Sequence, residues 1–194
     1  MHELFPVAVT APEGAALRGW VVSERAANTI EIGLGYAVST LFICAGLLRT
    51  AKSRARHVAI DPYQASRFSD CGVQSLAEAG VADLVECVAE ESQIVLPRLA
   101  SEGRMFDLAF VDGNHRFDGV FLDLIYLWRL VRPGGIVFVD DYQLPAVAHA
   151  VSFCVKDLGW GLEEISATDD LHQWAVVRTP VTPDRRPFDH FVEF

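Results

Sequence analysis

An aspartate and a histidine three residues apart, Asp112 and His115, follow one short apolar stretch, and the pair Asp140-Asp141 follows the next one. Three carboxylates brought to one point repel each other by roughly 1 to 4 kcal/mol per pair at about 4 Å, so we expect a cation between them. A divalent ion such as Mg²⁺, held by Asp112, Asp140 and Asp141, is one candidate, because hard oxygen ligands suit it and leave room for a hydroxylated substrate. An amine substrate, a sulfonium group or one carboxylate held in its protonated form would meet the same need.

His115 is the histidine that this pattern places beside the carboxylates. Imidazole titrates near neutral pH, so His115 can accept the proton of a hydroxyl group whose oxygen attacks a methyl group. The alternative is a structural histidine at a helix start that bonds Asp118 or the backbone. Of the remaining histidines, His57, His172 and His190 are expected at the surface or at strand edges, and His149 on the solvated side of a helix.

A glycine turn, Glu31-Ile-Gly33-Leu-Gly35, ends a β-branched stretch and runs at once into an apolar segment. Glycines at such a turn let a bound nucleoside approach the backbone without obstruction by side chains. A dinucleotide-binding turn carries a third glycine three residues later, where this chain has Val38. The turn therefore favours an adenosyl cofactor without phosphates over NAD.

Further polar residues follow the next apolar stretches along the chain. Asp61 can accept hydrogen bonds from ribose hydroxyls with its two oxygens, although it could also cap the turn before Pro62. Ser92 and Gln93, after Glu90, can donate to adenine nitrogens, and Ser92 could equally be a helix N-cap. All these residues follow predicted strands of one polarity, and the carboxyl edge of an open α/β sheet is where ligands bind.

The elements that must position these residues alternate between short apolar strands and helices of about 12 to 15 residues, which predicts repeated βαβ units. Strands are predicted at Thr29–Ile32, His57–Ile60, Leu84–Val88, Leu108–Val111, Ile136–Val139, Leu162–Ile165 and Trp174–Arg178. Helices are predicted at Glu13–Ala27, Val38–Thr50, Ser66–Ala79, Ser92–Ser101, Val120–Val131 and Pro145–Leu158, with Pro133-Gly134-Gly135 ending the fifth. The fold class is α/β, a single doubly wound, mostly parallel sheet of about seven strands, the last one antiparallel, with helices on both faces.

Composition narrows the class of protein. The 194 residues, 51% of them hydrophobic, suffice for one domain with a substantial core. The net charge of −10 disfavours nucleic acid as a partner. Four scattered cysteines form no Cys-x-x-Cys pair, the longest apolar run is too short to span a membrane, and the N-terminus lacks an export signal, so we expect a cytoplasmic protein without a membrane segment.

These motifs together resemble a known family. They are Glu31-Ile-Gly33-Leu-Gly35, Asp61, Ser92-Gln93, Phe110-Val-Asp112-Gly-Asn-His115, Pro133-Gly-Gly135 and Val139-Asp-Asp141-Tyr142, within roughly residues 29–142. The chain resembles the class I S-adenosylmethionine-dependent methyltransferases, in particular the small O-methyltransferases related to catechol O-methyltransferase and the macrocin-type sugar O-methyltransferases. The resemblance implies a Rossmann-like methyltransferase fold and a small-molecule methyl acceptor.

The resemblance also implies roles for individual residues. Glu31, Gly33 and Gly35 would border the methionine end of S-adenosylmethionine, with Tyr36, Ser39 and Asp112 as further contacts. Asp61 would bind the ribose, and Glu90, Ser92 and Gln93 the adenine. Metal ligands would be Asp112, Asp140 and Asp141, with Asp112 and His115 as catalytic residues. His115 replaces the lysine of the catechol enzymes, and Asp140-Asp141 replaces their Asp-Asn pair; both departures are closer to the macrocin type.

Three alternatives stay open: an N-methyltransferase acting on an amine without metal, an NAD-dependent oxidoreductase, and a non-catalytic member that keeps the cofactor fold. We expect residues 1–28 to form an N-terminal helical segment that packs on the core, 29–179 the cofactor-binding domain, and 180–194 an aromatic tail. Phe188, Phe191 and Phe194 in that tail would leave an apolar patch unless they dock, which favours a homodimer.

Overall fold

The computed structural model describes residues 8–50, 55–166 and 172–194, and the sheet within them has seven strands in the order β3-β2-β1-β4-β5-β7-β6. The strands are β1 (Asn28–Ile32), β2 (Arg56–Ile60), β3 (Val85–Val88), β4 (Phe106–Val111), β5 (Val131–Val139), β6 (Gly161–Ile165) and β7 (Ala175–Arg178). Strands β1 to β5 pair in parallel, and β7 runs antiparallel to both β5 and β6. The predicted fold class, with a single antiparallel strand at the end, is confirmed.

Seven helices in the described ranges cover the two faces of the sheet. They are α1 (Ala11–Ser23), α2 (Val38–Thr50), α3 (Gln64–Arg67), α4 (Cys71–Glu78), α5 (Ser92–Ser101), α6 (Phe117–Leu130) and α7 (Pro145–Lys156). Side chains alternate across each strand, so Leu108 and Phe110 of β4 join α1 and α2 in one core cluster, while Ala109 and Val111 join α5, α6 and α7 in another. No helix in these ranges is both long and apolar enough to cross a membrane.

Two predicted elements were wrong in their limits. The single helix predicted over Ser66–Ala79 is broken, because Ser69 and Asp70 have φ of +50° and +57°, a left-handed conformation that cannot continue a helix. Strand β5 begins at Val131, earlier than the predicted start at Ile136, and so contains Pro133-Gly134-Gly135. Val131 pairs with Phe106, and a shift of register before Leu108 accommodates the extra residues.

Hydrogen bonding of the sheet continues one residue past the strands and brings the polar residues to a common edge. The amides involved, each bonding the last carbonyl of a neighbouring strand at 2.9 to 3.0 Å, are those of Gly33 to Ile60, Asp61 to Val88, Asp112 to Ile32 and Asp140 to Val111. The carboxyl edge of the sheet therefore carries the glycine turn and the three aspartates side by side.

The C-terminal segment lies against α6 and α7. The ring of Phe194 packs on Phe153 at 4.9 Å between centroids, and Arg186 pairs with the buried Asp157. Phe188 and Phe191 stay exposed, at 107% and 73% of their reference areas. Within this chain Phe194 therefore docks on α7 and Phe191 contacts Phe194, at 6.2 Å between ring centroids, while Phe188 does not dock within the described residues.

Candidate active site

A cavity of about 520 Å³ opens at the carboxyl edge of the sheet, a volume typical of small-molecule sites. The sequence-predicted residues that line it are Gly33, Gly35, Tyr36, Ser39, Asp61, Ser92, Gln93, Asp112 and His115. Residues that line it without having been predicted include Val9, Tyr63, Arg67, Phe68, Glu91 and Asn114. Four predicted site residues lie outside this lining, namely Glu31, Glu90, Asp140 and Asp141.

The glycine turn is built as the sequence predicts, and Gly33 has a specific steric reason. Its φ is +96°, and a Cβ added to it would lie 2.0 Å from the carbonyl oxygen of Asp112. Gly35 has φ of +49° with open space where a Cβ would be. Gly33 is therefore needed for the contact between two loops, and Gly35 for the left-handed backbone beside the cavity.

Asp61 is held by three donors from its own chain. Its Oδ2 accepts from the amide of Gly35 at 2.9 Å and from Nε2 of Gln64 at 2.8 Å, and its Oδ1 accepts from the amide of Tyr63 at 2.8 Å. A carboxylate offers about four acceptor positions, two on each oxygen. One acceptor position on Oδ1 is thus left over by these three donors. Asp61 caps the turn, as one of the two predicted possibilities has it, and its bond to a ribose hydroxyl stays a prediction.

Beyond Asp61, the cavity ends at the start of α5. Ser92 hydrogen-bonds Asp123, a buried carboxyl group of α6 whose pKa burial raises to about 6. Gln93 contacts the carboxylate of Glu91. Glu90, which the resemblance assigned to adenine, instead pairs with Arg98 at 2.8 Å on the surface. Glu91, the next residue, lines the cavity.

Glu31 lies under the glycine turn, whereas the family resemblance implies a position beside the methionine end of the cofactor. The side chain is fully buried and accepts hydrogen bonds from Ser39, at 3.1 Å, and from Thr40. Nε2 of His57 lies 3.3 Å from Glu31, and Nδ1 of the same ring lies 2.8 Å from the hydroxyl of Thr29. The prediction that His57 is a surface or strand-edge residue was wrong, since it is 1% exposed in this polar network.

His115 faces two carboxylates at one end of the cavity. Its Nε2 lies 3.0 Å from Oδ2 of Asp141 and 3.4 Å from Oδ1 of Asp112. Hydrogen bonds to Asp112 and to Asp141 raise the pKa of His115 to about 10, and the bond to His115 lowers the pKa of Asp141. Burial raises the pKa of Asp112 to about 7. Asp118, one of the structural partners expected for His115, pairs with Arg116 instead.

Asp140 turns away from His115 and towards α1. Its Oδ1 accepts from the amide of Asp141 at 2.6 Å, and its carboxyl group hydrogen-bonds Glu13, which is 1% exposed. Burial is the main cause that raises the pKa of Glu13 to about 10, and the neighbouring charge of Asp140 is the second. The two carboxyl groups therefore share a proton at neutral pH. The pattern Thr10-x-x-Glu13 predicts a helix capping box, which is present, but gives no hint of the pairing with Asp140.

A group of three ligands in the described ranges could hold a metal ion. Asp112, His115 and Asp141 each offer one ligand atom, and these atoms lie within 4.8 Å of one another. The predicted ligand Asp140 lies outside this group, because its carboxyl group is bound to Glu13. Two carboxylate oxygens and one imidazole nitrogen fit a divalent cation such as Mn²⁺ or Fe²⁺ at least as well as Mg²⁺.

Comparison with known proteins gives a consistent result. Residues 30–142 match the family model described as a methyltransferase domain. The catechol O-methyltransferase of Mycobacterium tuberculosis is 32% identical over 139 residues, which cover 72% of this chain and 59% of that protein. The chain thus matches less than two thirds of that relative's length.

Solved structures share the fold. The O-methyltransferase TomG from Streptomyces achromogenes, in complex with S-adenosylmethionine, superposes with a TM-score of 0.75 at 26% identity, over 92% of this chain and 86% of that one. An O-methyltransferase from Bacillus cereus in complex with S-adenosylhomocysteine also gives 0.75, at 17% identity over 89% and 83% of the two chains. The second likeness concerns the fold alone.

Proposed function

The chain belongs to the methyltransferase-domain family and has the class I fold of S-adenosylmethionine-dependent enzymes, and on this premise we propose that it transfers a methyl group from S-adenosylmethionine to a hydroxyl group of a small molecule. The observation that carries the proposal is the cluster of Asp112, His115 and Asp141 at the end of the cavity. A hydroxyl group is a weak nucleophile, and this cluster contains what is needed to make it anionic.

In this proposal the cofactor occupies the cavity from the start of α5 to the glycine turn. Ser92 and Gln93 contact the adenine, and Asp61 accepts one ribose hydroxyl through Oδ1. Gly33, Gly35, Tyr36 and Ser39 border the methionine end. Glu31 acts from below the turn, since it holds Ser39 by a hydrogen bond.

The acceptor hydroxyl would lie beside His115. In-line transfer breaks the bond between sulfur and the methyl carbon, forms the bond between the acceptor oxygen and that carbon, and moves the hydroxyl proton to Nε2 of His115. Much of the barrier is lowered by holding oxygen and methyl in line at contact distance. A divalent cation held by Asp112 and Asp141 would lower the pKa of the acceptor hydroxyl and, by competing for the same oxygens, that of His115.

Two alternatives make different predictions. In an N-methyltransferase an amine would occupy the acidic end of the cavity in place of a metal, and activity would survive chelation. The family match and the likeness to structures bound to the methyl donor disfavour the NAD-dependent oxidoreductase. A non-catalytic protein would bind S-adenosylhomocysteine and turn over no acceptor.

The test measures S-adenosylhomocysteine release with catechols, other hydroxylated small molecules and amines, in EDTA and with Mg²⁺ or Mn²⁺ restored. For His115→Ala we expect activity on a hydroxylated acceptor to fall about 100-fold or more, because the base is lost. Affinity for S-adenosylhomocysteine should stay within about threefold. His149→Ala, which removes an exposed histidine from α7, is the matched control. Unchanged turnover in His115→Ala excludes this residue as the base, and EDTA-resistant methylation of amines alone excludes O-methyl transfer.

We also propose that the protein is a homodimer whose interface includes the aromatic tail, residues 180–194. The exposed rings of Phe188 and Phe191 support this: Phe188 is fully exposed, and Phe191 stays 73% exposed although its edge contacts Phe194.

A further inference from the structure

We propose that Gln64 is a positioning residue for the cofactor, because its side-chain amide ties the glycine turn to Asp61. The inference rests on the proposed function, since it concerns how the chain holds an adenosyl cofactor. Gln64 begins α3 and is 6% exposed. Its Nε2 lies 2.8 Å from the carbonyl oxygen of Gly35 and 2.8 Å from Oδ2 of Asp61, so one amino group donates to both motifs.

The orientation of this amide is fixed by its surroundings. Both partners of Nε2 are pure acceptors, so exchanging nitrogen and oxygen would put three acceptors together. Oε1 faces Gly72 of α4: a Cβ added to Gly72 would lie 2.7 Å from Oε1 and 2.5 Å from the carbonyl oxygen of Gly35. Glycine at this position lets α4 approach the turn and enclose the amide.

Gln64 acts through other residues, because it does not line the cavity while Gly35 and Asp61 do. Together with the amide of Gly35 it fills both acceptor positions of Oδ2 of Asp61, which leaves Oδ1 as the oxygen that can meet a ribose hydroxyl. The backbone carbonyl oxygen of Gln64 accepts hydrogen bonds from the backbone amides of Phe68 and Asp70, so Gln64 also holds the segment that carries the cavity residue Phe68.

Two substitutions separate positioning from general structural damage. Gln64→Leu removes both hydrogen bonds at similar volume. Gln64→Glu places a carboxylate against Asp61 and the carbonyl of Gly35, and this repulsion disappears when one proton is shared between the two carboxyl groups. The defect of Gln64→Glu should therefore shrink as the pH falls, which a misfolded protein would not show.

Calorimetric titration of the full chain with S-adenosylhomocysteine at pH 8 and pH 5.5 tests the inference. Gln64→Leu should bind about 10 to 100 times more weakly than wild type at both pH values, because one hydrogen bond to the Asp61 carboxylate and one to the Gly35 carbonyl are lost. Gln64→Glu should bind about 100 times more weakly at pH 8 and regain about tenfold or more at pH 5.5 relative to wild type. Gln74→Glu, the same change at an exposed position of α4, is the matched control.

In steady-state assays the Michaelis constant for the methyl donor should rise in both Gln64 variants, while kcat at saturating donor stays within about threefold. Wild-type affinity in both variants, or a defect in Gln64→Glu that does not respond to pH, overturns the role of Gln64. A wild-type protein that binds no S-adenosylhomocysteine overturns the proposed function itself, so the two failures are distinguishable.

Discussion

Replacing Asp141 by Asn should return the imidazole of His115 towards its ordinary pKa. In the wild-type protein, hydrogen bonds and charges of Asp112 and Asp141 raise this pKa from 6.5 to about 10. Roughly 0.1% of the imidazole is then unprotonated at pH 7. Loss of one of the two carboxylate charges should lower the pKa by about 1 to 3 units. Asn is the suitable replacement, because Asp141 has φ of +54°, which Asn tolerates and Ala does not.

The assay is an NMR titration of the imidazole Cε1 proton between pH 5.5 and 10.5, with the signal assigned through its absence in His115→Ala. The Asp141→Asn midpoint should lie well below that of wild type, and the exposed His149 should not change. The same shift affects the free energy of unfolding. Because the pKa of His115 is higher in the folded chain than in the unfolded chain, the contribution of His115 to stability is complete below pH 6.5 and is lost as the pH rises towards 10. A wild-type midpoint near 6.5, or one that Asp141→Asn leaves unchanged, would refute this account of the site.

Three further predictions concern the fold and the assembly. Gly33→Ala should lower the free energy of unfolding by more than about 4 kcal/mol, because its Cβ would lie 2.0 Å from a carbonyl oxygen. Gly35→Ala should lower it by only about 1 to 2 kcal/mol, because the space at Gly35 is open and only the left-handed backbone is unfavourable. Equal losses for the two variants in urea unfolding would contradict the packing at Gly33. Glu13 keeps its proton up to about pH 10 in the folded chain and loses it near 4.5 when unfolded, so the wild type loses stability as the pH rises between these values. Glu13→Gln should therefore gain stability relative to wild type as the pH rises from 4 to 9. A difference in melting temperature between the two proteins that does not change with pH would argue against the buried pair of carboxyl groups. Phe188→Ser with Phe191→Ser should convert a dimer to a monomer in light-scattering chromatography, and a monomeric wild type would remove the proposed homodimer.

The positions of the site residues along the sheet edge could be predicted from the sequence. Strand and helix periods set where each strand ends, and Asp61 and Asp112 come directly after buried strands, so their placement follows from the parallel topology. The glycine turn could equally be predicted from the sequence, because glycine favours the positive φ that Gly33 and Gly35 adopt there. These features depend on local sequence and on topology alone.

Side-chain direction could not be predicted in the same way. A strand buried on both faces shows no alternation of polar and apolar residues, so nothing in the sequence distinguishes a Glu31 that points to the ligand from one that points to His57. Of the pair Asp140-Asp141, the carboxylate that faces His115 is that of Asp141, whose backbone is left-handed, while that of Asp140 bonds Glu13; the sequence does not distinguish the two. The role proposed for Gln64 cannot be predicted from the sequence, because it depends on the break between α3 and α4, which brings Gly72 against its side chain.

The contact between Gly33 and the carbonyl of Asp112 restricts how this protein can diversify. An added methyl group at Gly33 would displace the loop that carries Asp112, so the glycine turn and this loop form one packed unit, which under the proposed function fixes the donor-binding turn relative to the base. Under the proposed function, new acceptor preferences would have to come from residues outside this contact, such as Val9, which lines the cavity, or Tyr142 to Leu144 before α7. Libraries aimed at altered acceptor choice should therefore randomise those positions and leave the two loops as they are.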